Sequence, residues 1–282
     1  MTRDNPLLQP LETLFRRLVM LMGLVDIVEE YLQGYRKFFI SQFEKLGIEV
    51  GHAYAGFNLI VWDIAPPVGH ERGHWRPVSS FSAGGDRFLE LADLFVQREA
   101  AWTVSQAFEA FESYLKDLLA AYLASRPQDS QLISLRQPRE SSNPASWRAG
   151  LNSARWNSVT LLASLRLVQP SIAPAEVTNA RHIHLEEWHH VLKEVRHGAT
   201  HSEMRIRSSR IAQWPPSRMR LLRREFPGDI ENGDYVLRLT KEHAQSAIQM
   251  AADYAFLLFK CLSQRCRYDW DILRPPDSDS GA

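Results

Sequence analysis

Apolar residues recur at intervals of three and four between Arg87 and Ala124, and this period restricts the fold of the chain more than any other feature. Over so many residues it predicts one long helix with a wide apolar stripe, which must be buried against other helices. The stripe consists of Trp102, Ala107, Phe108, Phe111, Leu115, Leu118, Leu119 and Tyr122.

The same period predicts four further helical segments, at residues 7–46, from Asn143 onward, at residues 185–199 and after Thr240. Residues 7–46 are expected to form one long helix or two shorter ones. Asn143 followed by Pro144 is a favourable helix start, and Thr240 is a suitable N-cap for the last helix. Residues 219–240 contain an Asn-Gly pair between β-prone segments, which predicts a hairpin of two short strands. The predicted fold class is therefore all-α, a helical bundle with a small β-hairpin insertion.

The domain organisation follows from one passage rich in Gly, Pro and Ser. Residues 57–67 resemble an extended segment that closes on two prolines, and residues 66–86 resemble a loop. We therefore predict a mainly helical N-terminal extension of unknown role at residues 1–86, a helical domain at residues 87–268 and a disordered tail at residues 269–282.

Composition excludes some classes of protein and indicates a compartment. Acidic and basic residues balance at 33 each, so net charge suggests no partner. The only cysteines, Cys261 and Cys266, lack the spacing of a disulfide scaffold or a zinc ribbon, which favours the cytoplasm. The apolar run at residues 18–25 is too short and too closely flanked by charge for a membrane span, and it predicts a core-facing helix.

The segment WHHVLKEVRHGATHSEMRIR, residues 188–207, holds the strongest functional signal. Histidines there indicate proton transfer, a metal site or a solvated helix face. Four side chains share one face of the predicted helix: His190, Glu194, His197 and His201. Arg196 lies about 140° around the helix from His201. We expect the two to converge if Gly198 loosens the helix end.

Arg196-His197-Gly198-Ala199-Thr200-His201 resembles the R-x4-H motif of the HEPN superfamily. The resemblance covers residues 90 to 268 and implies an all-α dimer, often a metal-independent endoribonuclease of toxin, phage-defence or RNA-processing systems. The bare pattern recurs at Arg238 to His243, where it straddles a strand end and a helix start. Glu112 and Lys116 resemble the E-x3-K element of some HEPN families, and they also form a favourable i,i+4 ion pair.

The resemblance implies roles for individual residues. His201 is expected to act as general base or acid and Arg196 to hold the scissile phosphate, while His197 lines the site and Glu112 completes the catalytic set. The 2′-hydroxyl of RNA would be the nucleophile, giving 2′,3′-cyclic phosphate ends. The resemblance also implies a homodimer with a composite site, a tRNA or mRNA substrate, and no cofactor or metal.

A basic strip follows the motif and predicts nucleic-acid binding. Residues 196–224 contain eight arginines and one acid, an excess of seven positive charges in a chain of zero net charge. The predicted RNA-binding residues are Arg205, Arg207 and Arg210, together with Lys116.

Two other functions remain open from the sequence. A non-catalytic HEPN-like module would bind RNA or a protein without cleavage. A metal-dependent hydrolase would use the histidine face, although position 198 is Gly where the zinc-protease motif has its catalytic Glu. Residues 1–86 are expected to regulate the protein, to dimerise or to receive an antitoxin.

Overall fold

The structure is a computed structural model, and it describes residues 5–47, 49, 54–62 and 75–271. It is predominantly helical with a small three-stranded antiparallel sheet, which confirms the predicted all-α class with a β insertion. Two compact units are present: Met1–Val25 with Arg98–Ala282, and Asp26–Gln97.

These units differ from the predicted boundary at residue 86. The first helix, α1 (Leu8–Lys45), is a single helix, and its first turns bury Leu11, Leu14 and Leu18 in the core of the larger unit. The first 25 residues therefore belong to the larger unit and not to a separate extension. Both divisions fall inside helices, α1 and α2 (Gly85–Ser125), where no change of composition marks them.

The smaller unit contains a two-stranded antiparallel ribbon between its helical segments. Strand β1 (Tyr54–Trp62) confirms the predicted extended segment over residues 57–62, residues 63–65 lying outside the described residues, and it pairs with β2 (Trp75–Gly84). The loop predicted for residues 66–86 is wrong over β2. Pro77 is compatible with this strand because each strand of a two-stranded ribbon has a free edge. Residues 66–74, with His70 and His74, and also His52, lie outside the described residues.

The larger unit continues after α2 with a series of shorter elements. In chain order these are a 3-10 helix (Pro127–Ile133), α3 (Pro144–Ser153), α4 (Ser158–Val168), α5 (Ile172–Val177), α6 (Leu185–His201), β3 (Arg205–Ile206), α7 (Ser208–Ile211), α8 (Pro216–Glu225), β4 (Gly228–Glu231), β5 (Asp234–Leu237) and α9 (Lys241–Cys266). No helix in the described part of the chain is long and apolar enough to cross a membrane.

The core of the larger unit is formed mainly by α2, α4, α6 and α9. The predicted stripe of α2 is buried except for Trp102, which is 48% exposed. The Tyr114 hydroxyl on α2 donates to the Ala255 carbonyl on α9 at 2.8 Å, and the rings of Phe111 and Tyr254 lie 5.4 Å apart. These contacts fix α2 against α9.

Two predictions for the second half need correction. The helix predicted from Asn143 is two helices, because Asn157 accepts from the Thr160 amide at 3.1 Å and caps a second start. The segment predicted to lead into a hairpin is partly α8, which Pro216 initiates. The hairpin itself is confirmed as β4 and β5. Its turn residues Asn232 and Gly233 both have positive φ, as a type I′ turn requires.

Candidate functional site

A cleft of about 570 Å³ lies beside α6, with walls from α2, α3 and α6. It brings together five of the eight predicted site residues: Glu112, Lys116, Arg196, His197 and Arg210. The other three, His201, Arg205 and Arg207, do not line it. The motif helix therefore contributes to a cleft, but only part of the predicted set faces it.

Arg196 projects from α6 toward α2. Its Nη2 lies 3.0 Å from a carboxylate oxygen of Glu109, and its Nε is buried without a hydrogen-bond partner among the described residues. Arg196 lines the cleft, and its guanidinium has more N–H donors than the ion pair with Glu109 uses, so it can also donate to an anion there. Arg196 thus has the geometry of an anion-binding residue.

His197 is half-buried on the cleft wall. Burial is the main cause that lowers the pKa of His197 below its usual value of 6.5, and the positive charge of Arg210 lowers it further. The imidazole is therefore neutral near pH 7 and can accept a proton.

The expectation that Gly198 loosens the helix end is wrong. Helix α6 continues through Gly198 to His201, and a Cβ at position 198 would lie 2.9 Å from the carbonyl oxygen of Arg205. Gly198 is thus needed for the close approach of β3. As a result His201 is exposed and does not converge with Arg196 within one chain. Its ring lies 5.2 Å from the ring of His197.

Glu112 and Lys116 lie on the α2 wall and form an ion pair of 3.2 Å. Both side chains are more than two thirds buried, so the pair is not a simple solvated surface contact. The two hypotheses made from the sequence, an i,i+4 pair and a site element, are therefore compatible.

Sequence reasoning missed two cations of the cleft. Arg148 enters from α3, and Lys193 lies one turn before His197 on α6. Neither belongs to a motif, and an arginine between Trp147 and Ala149 on a short helix gives no signal of its own. Only the packing of α3 on α2 brings Arg148 to the site.

The basic strip is largely neutralised by acids from elsewhere in the chain. Ion pairs join Arg196 to Glu109, Arg205 to Glu231, Arg210 to Glu194, Arg218 to Glu187, and Arg224 to Glu225. Counting charge along residues 196–224 included one acid and missed these partners. Among the described residues Arg207 is exposed and has no ion pair.

Two other histidines near α6 have structural environments. His189 is 1% exposed and stacks on Phe108 at 5.7 Å. His184 caps the start of α6. In the second R-x4-H match, Arg238 pairs with Glu231 and His243 caps the start of α9.

The sequence left open a metal site formed by the histidine face of α6. In the part of the chain that the structure describes, no group of three or more His, Cys, Asp or Glu side chains is placed to hold a metal ion.

The chain matches no protein-family model, no curated protein and no solved structure. Its function is therefore inferred from the cleft itself.

Proposed function

We propose that the cleft beside α6 binds the phosphate backbone of RNA and that the protein is a metal-independent endoribonuclease. One observation carries the proposal: Arg196, with an unused N–H, lies next to His197, which is neutral near pH 7, in a cleft that also contains Lys116. A phosphate-binding cation beside a proton acceptor is what cleavage of RNA by its own 2′-hydroxyl requires.

The chemistry follows from these groups. His197 takes the proton of the 2′-hydroxyl as its oxygen attacks the adjacent phosphorus, and Arg196 donates hydrogen bonds to the phosphate oxygens as negative charge increases there. The bond from phosphorus to the 5′-oxygen breaks, and a protonated imidazole gives its proton to that oxygen. The products are a 2′,3′-cyclic phosphate and a 5′-hydroxyl.

His201 is the proposed proton donor. Because it is exposed and its ring lies 5.2 Å from that of His197, it is accessible to RNA or to a second copy of the chain. In a homodimer the two motifs would supply a composite site, as the HEPN resemblance implies. This assigns the general base to His197, in contrast to the roles expected from the motif alone.

A toxin or phage-defence role, with a cognate antitoxin or regulatory protein, follows from the resemblance and is proposed with it. Both cysteines are free thiols, which agrees with a cytoplasmic location.

A non-catalytic module that binds RNA or protein is the second candidate. It is favoured by the position of His201 outside the cleft and by the ion pairs that neutralise five arginines of the strip. It would show binding without cleavage.

Cleavage of a mixed tRNA and mRNA pool in excess EDTA tests the proposal. We expect Arg196→Ala and His197→Ala each to lower the cleavage rate by about 10²-fold or more, since each removes a group that acts in the transition state. Matched controls are Arg139→Ala and His182→Asn, which replace exposed residues outside the cleft and outside the basic strip and should leave the rate unchanged.

The product ends and the controls decide between the candidates. Cyclic phosphate ends, lost in both cleft variants and kept in both controls, support the nuclease. Cleavage that survives both cleft substitutions contradicts it. RNA binding that depends on Arg196, without any cleavage by the wild type, supports the binding module.

A further inference from the structure

The cleft contains a second guanidinium, that of Arg148. Two of its nitrogens have partners in the protein, and the third has none among the described residues. Arg148 Nε lies 3.1 Å from a carboxylate oxygen of Asp117, and its Nη2 donates to the Ser113 hydroxyl at 3.2 Å. Its Nη1 is buried and has no hydrogen-bond partner among the described residues. A buried N–H group without a partner costs free energy unless a ligand or water accepts from it.

The charges around the cleft favour an anionic ligand. Four of its five lining cations form ion pairs, three with acids of the same cleft and Arg148 with Asp117, so the excess is one positive charge, His197 being neutral. The partner of Arg148, Asp117, does not line the cleft, and Lys193 has no ion pair in the described residues. The cations are Lys116, Arg148, Lys193, Arg196 and Arg210.

We propose that Arg148 is a second phosphate-binding residue of this cleft, so that the ligand is an oligoribonucleotide with at least two consecutive phosphodiesters rather than a mononucleotide. The inference rests on the proposed function for the identity of the ligand. Arg196 and Arg148 both line the cleft, and each guanidinium has more N–H donors than its protein partners use, so each can receive one phosphate.

The fixed position of Arg148 favours this role. Asp117 and Ser113 restrain the guanidinium before any ligand binds, so little side-chain entropy remains to be lost on binding. Arginine is suited to such a site because its planar group can donate to an anion on one edge while other edges are bonded to the protein.

The test measures the affinity of a 2′-O-methyl oligoribonucleotide, which lacks the nucleophile and cannot be cleaved, at several salt concentrations. We expect R148Q to weaken binding roughly tenfold and to reduce the slope of log K against log salt by about 0.7, the effect of leaving one phosphate of a single strand without its cation. R148K should keep the wild-type slope with intermediate affinity, because it keeps the charge and loses the planar geometry. Arg139→Gln, an exposed arginine outside the cleft, is the control and should change neither quantity.

A second variant separates binding from a structural role. D117N removes the negative charge that pairs with Arg148 but keeps a side-chain oxygen that can accept from its Nε, so the guanidinium stays restrained and the variant should bind the oligonucleotide as tightly as the wild type or more tightly. If Arg148 acted only by holding α3 against α2, D117N would weaken binding as R148Q does. Melting temperatures are measured first. If R148Q is unfolded, R148K against D117N gives the same comparison.

The outcomes distinguish this proposal from the function it rests on. Wild-type binding that R148Q and R148K leave unchanged overturns the role of Arg148 and leaves the endoribonuclease standing. If the wild type binds no oligonucleotide, the proposed function fails, and titration with inorganic pyrophosphate decides the anion site. Binding of pyrophosphate that R148Q weakens supports the site, and binding that it does not affect, or none at all, overturns it.

Discussion

The buried His189 should make the stability of this protein depend on pH. Burial lowers the pKa of His189 from 6.5 to about 3, with smaller contributions from His190, Lys193 and Arg166. The folded state therefore keeps the ring neutral, while the unfolded chain takes up a proton as the pH falls below 6.5. Stability is complete above the unfolded pKa and is lost from there down toward the folded pKa, at about 1.4 kcal/mol per pH unit.

Between about pH 7.5 and pH 5 this amounts to about 2 kcal/mol for His189 alone. Urea unfolding followed by circular dichroism at several pH values measures it, with His189→Phe as the comparison. Phenylalanine cannot titrate, and it removes a buried ring nitrogen that has no hydrogen-bond partner in the described residues. Titrating groups common to both proteins cancel in the difference.

We expect the wild type to lose about 2 kcal/mol more than the variant over this range. His189→Leu repeats the comparison with a smaller side chain, in case the larger ring does not fit between Phe108 and Phe111. Parallel loss of stability in the wild type and both variants would refute the reasoning, because it would show that His189 titrates normally in the folded protein.

Two substitutions test the packing of the larger unit through their effect on the free energy of unfolding. Gly198→Ala should cost about 1–3 kcal/mol, because its Cβ would lie 2.9 Å from a backbone carbonyl, whereas Gly150→Ala, in open space on a helix, should be neutral or stabilising. Equal effects would contradict the close approach. The Glu176 carboxylate accepts from both Nε and Nη2 of Arg166. Glu176→Ala should lower the free energy of unfolding by about 3–5 kcal/mol, because it leaves the half-buried Arg166 without this bidentate partner. Glu186→Ala removes a more exposed carboxylate from the same arginine and should cost below about 1 kcal/mol, so a similar loss in both would contradict this interpretation.

The sequence predicted those parts of the fold that depend on local chemistry. The α2 stripe, the cap at Asn143 and the Asn232-Gly233 turn are all encoded by residues close together in the chain. The boundary inside α1 could not be predicted in this way, because it depends on which distant helices cover Leu11 and Leu14.

In the candidate site, too, local sequence predicted some residues and long-range packing decided the others. The motif predicted Arg196 and His197 as site residues, and the spacing of Glu112 and Lys116 placed that pair on one face of α2. The contribution of Arg148 and the exclusion of His201 depend on long-range packing, of α3 on α2 and of β3 on Gly198. Such packing leaves no local pattern in the chain.

The ion pair between Arg196 and Glu109 has a consequence for any ligand of the cleft. The carboxylate occupies one edge of the guanidinium, so it acts as a tethered competitor for an incoming anion. The observed affinity is then the intrinsic affinity multiplied by the fraction of molecules in which that edge is released. Single anions meet this competition in full, whereas a chain of linked anions held elsewhere in the cleft is present at high effective concentration and displaces the carboxylate more readily.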